Sequence, residues 1–403
     1  MLVTTSTSVK ASNTSLPTGI GTTGPIIKVR FTPLSITVSW HTFGQCNTYG
    51  ATDFISQGVV WLTRNDEGGY DEIQLNRGEI PAKTEVVDFD SDGDLDIVLA
   101  NIGSHMPTEK LVGSVEILLN NGEQRFASKT VLDSMGRLSD ARPADLDGDG
   151  DLDIAVTTFG FLNTGEVGWL EQTGRLEFTY RRLLRRNGGL HIIPTDADGD
   201  GDIDLMTLIT QEHEEILLFL NNGDGTFEKQ ILFKAPGPTW GFSGIELVDL
   251  DDDGDEDILA TNGDAIDLPN GMVLPYHGVR WFENRGNLEY RHHEIFPFYG
   301  AYRAVPGDLD GDGDLDIAVV TMMSHWTDKS RMSAIWLEND GDQSFKPHGI
   351  GNERTYLMTC DIGDLDGDGD LDIVAGGMNV EADRFGRIGR IVRLRNDGTR
   401  DDD

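Results

Sequence analysis

Six stretches of this 403-residue chain place aspartate at five alternate positions of a nine-residue loop, with glycine at position six. The first, residues 88–96, reads DFDSDGDLD and holds Asp88, Asp90, Asp92, Asp94 and Asp96 around Gly93. A hard cation such as Ca2+ takes six to eight oxygen ligands, and a short loop supplies them by curling so that alternate residues point inward. Asp88, Asp90, Asp92 and Asp96 would then give side-chain oxygens, Asp94 its backbone carbonyl, and Gly93 the sharp turn. The same chemistry repeats at Asp145, Asp147, Asp149, Asp151 and Asp153; at Asp196, Asp198, Asp200, Asp202 and Asp204; and at Asp249, Asp251, Asp253, Asp255 and Asp257. It recurs again at Asp308, Asp310, Asp312, Asp314 and Asp316, and at Asp364, Asp366, Asp368, Asp370 and Asp372. The spacing opens like the calcium loop of a helical hand. Its flanks, TEVVDF and LDIVLAN, are instead short, apolar and β-branched, as strands are. Each loop reads as a metal-clipped β-turn with a structural ion.

Composition supports a local role for this acidity. Thirty of the 70 acidic residues stand in the loops, and without them the formal net charge of −38 would be −8. Five uncompensated carboxylates per loop would repel one another, so folding is expected to be coupled to about six Ca2+ ions. Nucleic acid is not an expected partner, because phosphates need a basic face. No apolar run approaches the length of a membrane span, so membrane insertion is not expected. The two cysteines, Cys46 and Cys360, exclude a disulfide framework and leave one mutual disulfide or two buried thiols. No apolar signal-peptide core is visible in the first twenty residues. Calcium loops of low affinity suit a millimolar-calcium setting, so an extracellular, cell-surface or periplasmic monomer is expected.

The loops need a scaffold, and the repeat describes it. They start 51 to 59 residues apart. Each is followed by a strand such as DIAVTT, a segment of variable length, then a second signature such as ILLFLNNGDGTF: strand, Asn/Gly-rich hairpin turn, strand. A unit thus holds strands a, b, c and d, with the metal loop between a and b. Tandem four-stranded units describe β-propeller blades. The expected fold is all-β: a seven-bladed propeller of four-stranded antiparallel blades, six with a DxDxDGDxD loop, forming one domain. The blades are placed at residues 80–136, 137–187, 188–237, 238–297, 298–350 and 351–403, the last ending in an acidic tail. A metal-free blade is placed at 25–79, with IIKVRF, ITVSW, GVVWLTRN and YDEIQL as its strands. Residues 1–24 read as a flexible lead-in whose start, LVTTSTSVK, could close the last blade.

The units, with ADLDGDGDLDIAV and LNNGDGTF as clear copies, resemble the FG-GAP/VCBS calcium-binding propeller repeats over about residues 80–400. That family is found in integrin α-subunit heads, fungal lectins and bacterial surface proteins. The resemblance implies calcium in each loop and a seven-bladed ring. It implies little about function, since the family includes adhesins, lectins and accessory domains of enzymes.

Topology separates scaffold from working face. If the metal loops and c–d turns share one face, the b–c and d–a connections share the other, here called upper. The upper loops vary, and variable loops on a rigid scaffold carry function. His105, His213, Tyr276, His277, His325 and Trp326 fall there. Five residues before each first aspartate stand Lys83, Asp140, His191, Gly244, Arg303 and Thr359, which on innermost strands could ring a channel mouth. His191, Trp240, Tyr302, Arg303, His325 and Trp326 are therefore the expected ligand-binding set, though any one aromatic could equally pack between blades. The pair His292–His293 should point to opposite sides of a strand. Enzyme signatures such as GxSxG, HExxH or a P-loop are absent. The expected function is a non-catalytic binding module for a glycan or protein. The alternative is a carbohydrate-active enzyme, of polysaccharide lyase or sugar dehydratase type, with a His/Arg/Tyr site on the same face. A third is a purely structural unit. Convergence of His, Arg and Tyr on one pocket would speak for catalysis; scattered aromatics would speak for binding.

Overall fold

The computed structural model describes residues 35–40, 58–65, 69–76, 80–104, 106–123, 125–265, 274–322, 332–351, 356–378, 391–396 and 398. All regular structure among them is β-strand, so no described helix is long and apolar enough to cross a membrane. The first sheet holds β1 (Ser35–Trp40), β2 (Gly58–Arg64) and β3 (Tyr70–Gln74). The second holds β4 (Pro81–Val87), β5 (Asp96–Asn101), β6 (Gly113–Asn120) and β7 (Phe126–Met135). The third holds β8 (Leu138–Ala144), β9 (Asp153–Thr158), β10 (Glu166–Gly174) and β11 (Glu177–Arg185). The fourth holds β12 (Gly189–Thr195), β13 (Asp204–Ile209), β14 (Glu215–Asn221) and β15 (Phe227–Lys234). The fifth holds β16 (Phe242–Val248), β17 (Asp257–Asn262), β18 (Gly278–Asn284) and β19 (Tyr290–Pro297). The sixth holds β20 (Ala301–Gly307), β21 (Asp316–Thr321), β22 (Ala334–Asn339) and β23 (Phe345–Gly351). The last holds β24 (Tyr356–Gly363), β25 (Asp372–Met378) and β26 (Ile391–Leu394).

Every sheet is an antiparallel meander in chain order: five have four strands, and the first and last have three described strands. The expected inner strand IIKVRF of the first sheet and the expected closing strand LVTTSTSVK lie outside the described residues. The first strands of successive sheets pack on one another from β4 through β24, so they are the innermost. The first and last sheets also meet: Tyr70 donates its hydroxyl to the Leu365 carbonyl at 3.0 Å, and Arg64 donates to the Asp366 carbonyl. The molecule is an all-β propeller.

The core lies between the blades, and this explains the strand patterns. One apolar cluster joins Val98, Val115 and Ile117 of the second sheet to Leu138, Ile154 and Leu170 of the third. Four more clusters occupy the next four inter-sheet spaces. Second strands are therefore covered on both faces: β5, β9, β13, β17 and β21 are buried at every residue. A strand buried on both faces reads as an unbroken apolar run. Outer strands such as β7 and β15 alternate, because one face meets water.

Candidate functional sites: aspartate loops and channel mouth

Within each loop, the position-one carboxylate organises the turn. Asp88 accepts the Asp92 and Gly93 amides at 3.1 and 3.0 Å, and Asp145 accepts those of Gly148 and Gly150 at 2.9 and 3.0 Å. The position-six glycines have φ of 93° to 104°, a left-handed region that side chains strain. Position four is left-handed too, which accounts for the recurrent Gly-Asp-Gly; Ser91 and Asp252 tolerate φ 59° there.

Position nine has a structural part of its own. Its carboxylate is at most 1% exposed in all six loops. One oxygen accepts the amide of position two (Phe89, Leu146, Ala197, Leu250, Leu309, Leu365) at 3.0–3.2 Å. The other accepts the amide that opens the c–d turn (Asn120, Gln172, Asn221, Asn284, Asn339, Asn396) at 2.7–2.9 Å. Loop and hairpin are thus stapled on one face. Burial pushes Asp153 up to about 7 and Asp204 up to about 6, with the loop's other carboxylates adding to the rise.

The donor set suits a hard divalent cation. In loops one, two, three and five, the carboxylates of positions one, three and nine bring one oxygen each within 4.8 Å of the others; in loop four, Asp249, Asp251 and Asp253 do so. All donors are oxygen, as Ca2+ prefers. Asp90, Asp251 and Asp366 each keep a buried Oδ1 without a hydrogen-bond partner, which a cation would satisfy. Position seven turns away: a Cβ on Gly122, Gly223, Gly341 or Gly398 would lie 2.5–2.7 Å from the carboxylate of Asp94, Asp202, Asp314 or Asp370. That leaves the position-seven carbonyl as its available donor. Loop six differs, because Arg393 bonds Asp366 and Asp372 while Arg395 bonds Asp366 and Asp368 at 3.1 and 3.2 Å.

On the innermost strands, a second feature forms at the opposite end. Ala82, Lys83, Ser139, Leu190, His191, Ser243, Tyr302, Arg303, Met358, Thr359 and Cys360 line one cavity of about 90 Å³. They come from β4, β8, β12, β16, β20 and β24. Lys83 pairs with Ala100 near the end of β5 remote from the loop, so the cavity opens toward the upper side. Each inner strand has a register shift here, between Pro81 and Lys83, Leu138 and Asp140, Gly189 and His191, Phe242 and Gly244, Ala301 and Arg303, and Leu357 and Thr359. A bulge lets two successive residues face one side. Tyr302 and Arg303 therefore both line the cavity, as do Leu190 and His191.

The lining carries three basic side chains and no acidic one. The acids lie beneath. Lys83 pairs with Glu85 at 3.2 Å, and Arg303 pairs with Glu246 and donates to the Ile245 carbonyl at 3.2 Å. Asp140, fully buried, accepts from Ala141 and Ile192 amides and from Arg142 Nε at 2.9, 3.2 and 3.2 Å. Burial alone would raise Asp140, but Arg142, His191 and Lys83 outweigh it and hold the carboxyl well below its usual range. Burial lowers His191 to about 4 despite Asp140 at 3.5 Å, so the ring is neutral at pH 7. Burial also lowers Lys83 and raises Cys360 to about 12. Cys46 lies outside the described residues.

Three of the six residues expected to bind ligand, His191, Tyr302 and Arg303, meet in this cavity. His325 and Trp326 lie outside the described residues, as does His105. Trp240 does not line the cavity: it stacks on Tyr276 (5.7 Å, 9°) and packs against Phe233 and Phe242, with Arg280 over its ring. His277, expected on the exposed face, is 0% exposed instead. His292 stacks on Phe282 and His293 on Trp281, from opposite sides of the strand as alternation requires. Ser139, Ser243 and Met358 were missed by reading position −5 alone; with Tyr302 they hold position −6, which the bulge turns inward. Upper loops do expose apolar side chains, Met106 and Leu111 on one and Phe161 and Leu162 on the next, tied by Asn163 to Glu109 at 2.8 Å.

A family model described as FG-GAP-like repeat matches residues 88–156, 196–260 and 322–375. No curated protein matches the chain. Among solved structures, it is similar to a Bacteroides fragilis protein provisionally described as a 6-phosphogluconolactonase, at 13% identity and TM-score 0.47, over 78% of this chain and 79% of that one. A likeness so distant carries no chemistry across.

Proposed function

Because the chain is built from FG-GAP-like repeats on a β-propeller, we propose that it is a calcium-stabilised, extracellular binding module acting through its upper face, centred on the channel mouth. The observation that carries this reading is the cavity lined by six successive inner strands at the end remote from the aspartate loops. Calcium is the ion the all-oxygen loops favour, and its role is to neutralise the loop carboxylates and hold the stapled turns. The ligand is a glycan or a protein segment that lies across the upper loops. The cavity is small beside the roughly 300–1,000 Å³ of ordinary ligand pockets, so it suits one protruding group of a larger ligand.

A catalytic reading is favoured by one observation, the meeting of His191, Tyr302 and Arg303. A neutral imidazole beside a guanidinium and a phenol could serve as base, charge clamp and acid. Against it, the cavity is small beside the pockets that enclose a substrate together with its leaving group. The test is binding of the calcium-loaded protein to a broad polysaccharide panel, with each mixture assayed for new unsaturated or reducing ends. Selective binding without product supports the binding module. Product that disappears in His191→Asn would replace it with the enzyme, and silence in both assays would remove the glycan.

A further inference from the structure

We propose that the channel mouth is a carboxylate receptor, seating one uronate group of an acidic polysaccharide that runs across the upper face. The inference rests on the binding-module reading and assigns the ligand's chemistry. In a chain of formal net charge −38, the cavity lining presents the cations Lys83 and Arg303 beside the neutral ring of His191, and no carboxylate. An anion is repelled by the molecule at large and accepted at this spot, which confers selectivity of place. The acids that balance these cations, Glu85 and Glu246, sit two residues further along the strands, toward the loops. Asp140 also acts on both cations from beneath the lining, and an anion seated in the cavity itself would be held strongly because little solvent competes there.

Size and the surrounding groups narrow the class. At about 90 Å³ the cavity is small beside ordinary ligand pockets of roughly 300–1,000 Å³, which suits a protruding group such as a carboxylate. Ser139 and Ser243 donate their hydroxyls to the carbonyls of Gly189 and Ala301 at 2.7 and 2.9 Å. Their oxygens remain able to accept. A polyuronate also carries the free O2 and O3 hydroxyls of its rings, which can donate to such oxygens, whereas the side chain that bears a peptide carboxylate has only methylene groups. The sugar is therefore the favoured source.

The test compares binding of the calcium-loaded protein to polygalacturonate, its fully methyl-esterified form, dextran, free galacturonate and poly-glutamate. Polygalacturonate should bind, and esterification should weaken it by more than about tenfold. Lys83→Met should do the same while leaving the melting temperature close to that of the parent, since Glu85 keeps Arg142 at 3.8 Å. The double variant Arg303→Met with Glu246→Gln removes a cation without stranding its partner, and should also lose binding. Equal binding of acid and ester would overturn the carboxylate assignment while leaving glycan binding intact. Poly-glutamate as sole ligand would overturn the sugar, and free galacturonate binding as tightly as polymer would overturn the extended ligand. No binding to any of them would overturn the uronate assignment alone, since the binding-module reading stands or falls on the broad panel above.

Discussion

His191 shows how one side chain acquires a special state from its surroundings. Its ring lies between Asp140 and the cations Arg142 and Arg303, and desolvation dominates, lowering its pKa from 6.5 to about 4. A base whose folded pKa is depressed binds fewer protons in the native state than in the unfolded one. Stability from this group is therefore complete above pH 6.5 and is lost as pH falls toward 4. In saturating calcium, His191→Asn should flatten the dependence of melting temperature on pH across that window. Parallel curves for parent and variant would refute the buried neutral imidazole. The same residue illustrates what a sequence can offer: its place five residues before an aspartate loop was visible, as was that of Asp140 in the preceding blade, but not that packing buries the two 3.5 Å apart.

Among elements, the unit that matters is the loop with its hairpin. The aspartate at position nine and the turn asparagine hold each other: Asn221 donates its amide to Asp204 at 2.8 Å, its side chain to the Ile203 carbonyl at 3.0 Å, and accepts from Gly223 at 3.1 Å. Its side chain also reaches the Leu146 carbonyl of the preceding blade at 2.8 Å. Gly223, at φ 77°, has no room for a Cβ, which would stand 2.5 Å from Asp202 Oδ2. Gly223→Ala should thus destabilise by about 1–3 kcal/mol, from backbone strain and the displaced carboxylate. Gly237→Ala, where nothing lies within 4 Å, should change stability by about 0.5 kcal/mol or less. Chemical denaturation of the two calcium-loaded variants makes the comparison, and similar losses would contradict the crowding argument.

For the molecule as a whole, stability is expected to depend on screening the loops. Each inter-blade core lies beside one or two aspartate clusters, and residues such as Phe89, Leu146 and Leu309 at position two are buried in those cores. Unscreened carboxylates would push the turns apart and draw these plugs with them. Chelation should lower the melting temperature by at least several degrees, with recovery on adding calcium, because an ion that binds only the folded state stabilises it by mass action. A melt unchanged by chelator would end the claim of coupled folding. Loop six, already bridged by Arg393 and Arg395, should be the loop least loosened by chelation when amide hydrogen exchange is followed loop by loop.

The sequence by itself determined the repeat, the all-β blade, the aspartate loops and the face on which loops and hairpins meet. These rest on local spacing: alternate carboxylates, a glycine at the turn, apolar runs of strand length. It also pointed to His191, Tyr302 and Arg303, since position counted from a loop survives folding. Only the tertiary structure decided that the six inner strands bulge at one level and turn Ser139, Ser243 and Met358 into the same cavity. Only packing decided that Trp240 belongs to an aromatic stack and that His277 is buried. A bulge is a property of two paired strands, and burial is a property of neighbouring blades, so neither leaves a mark in the residues read one after another.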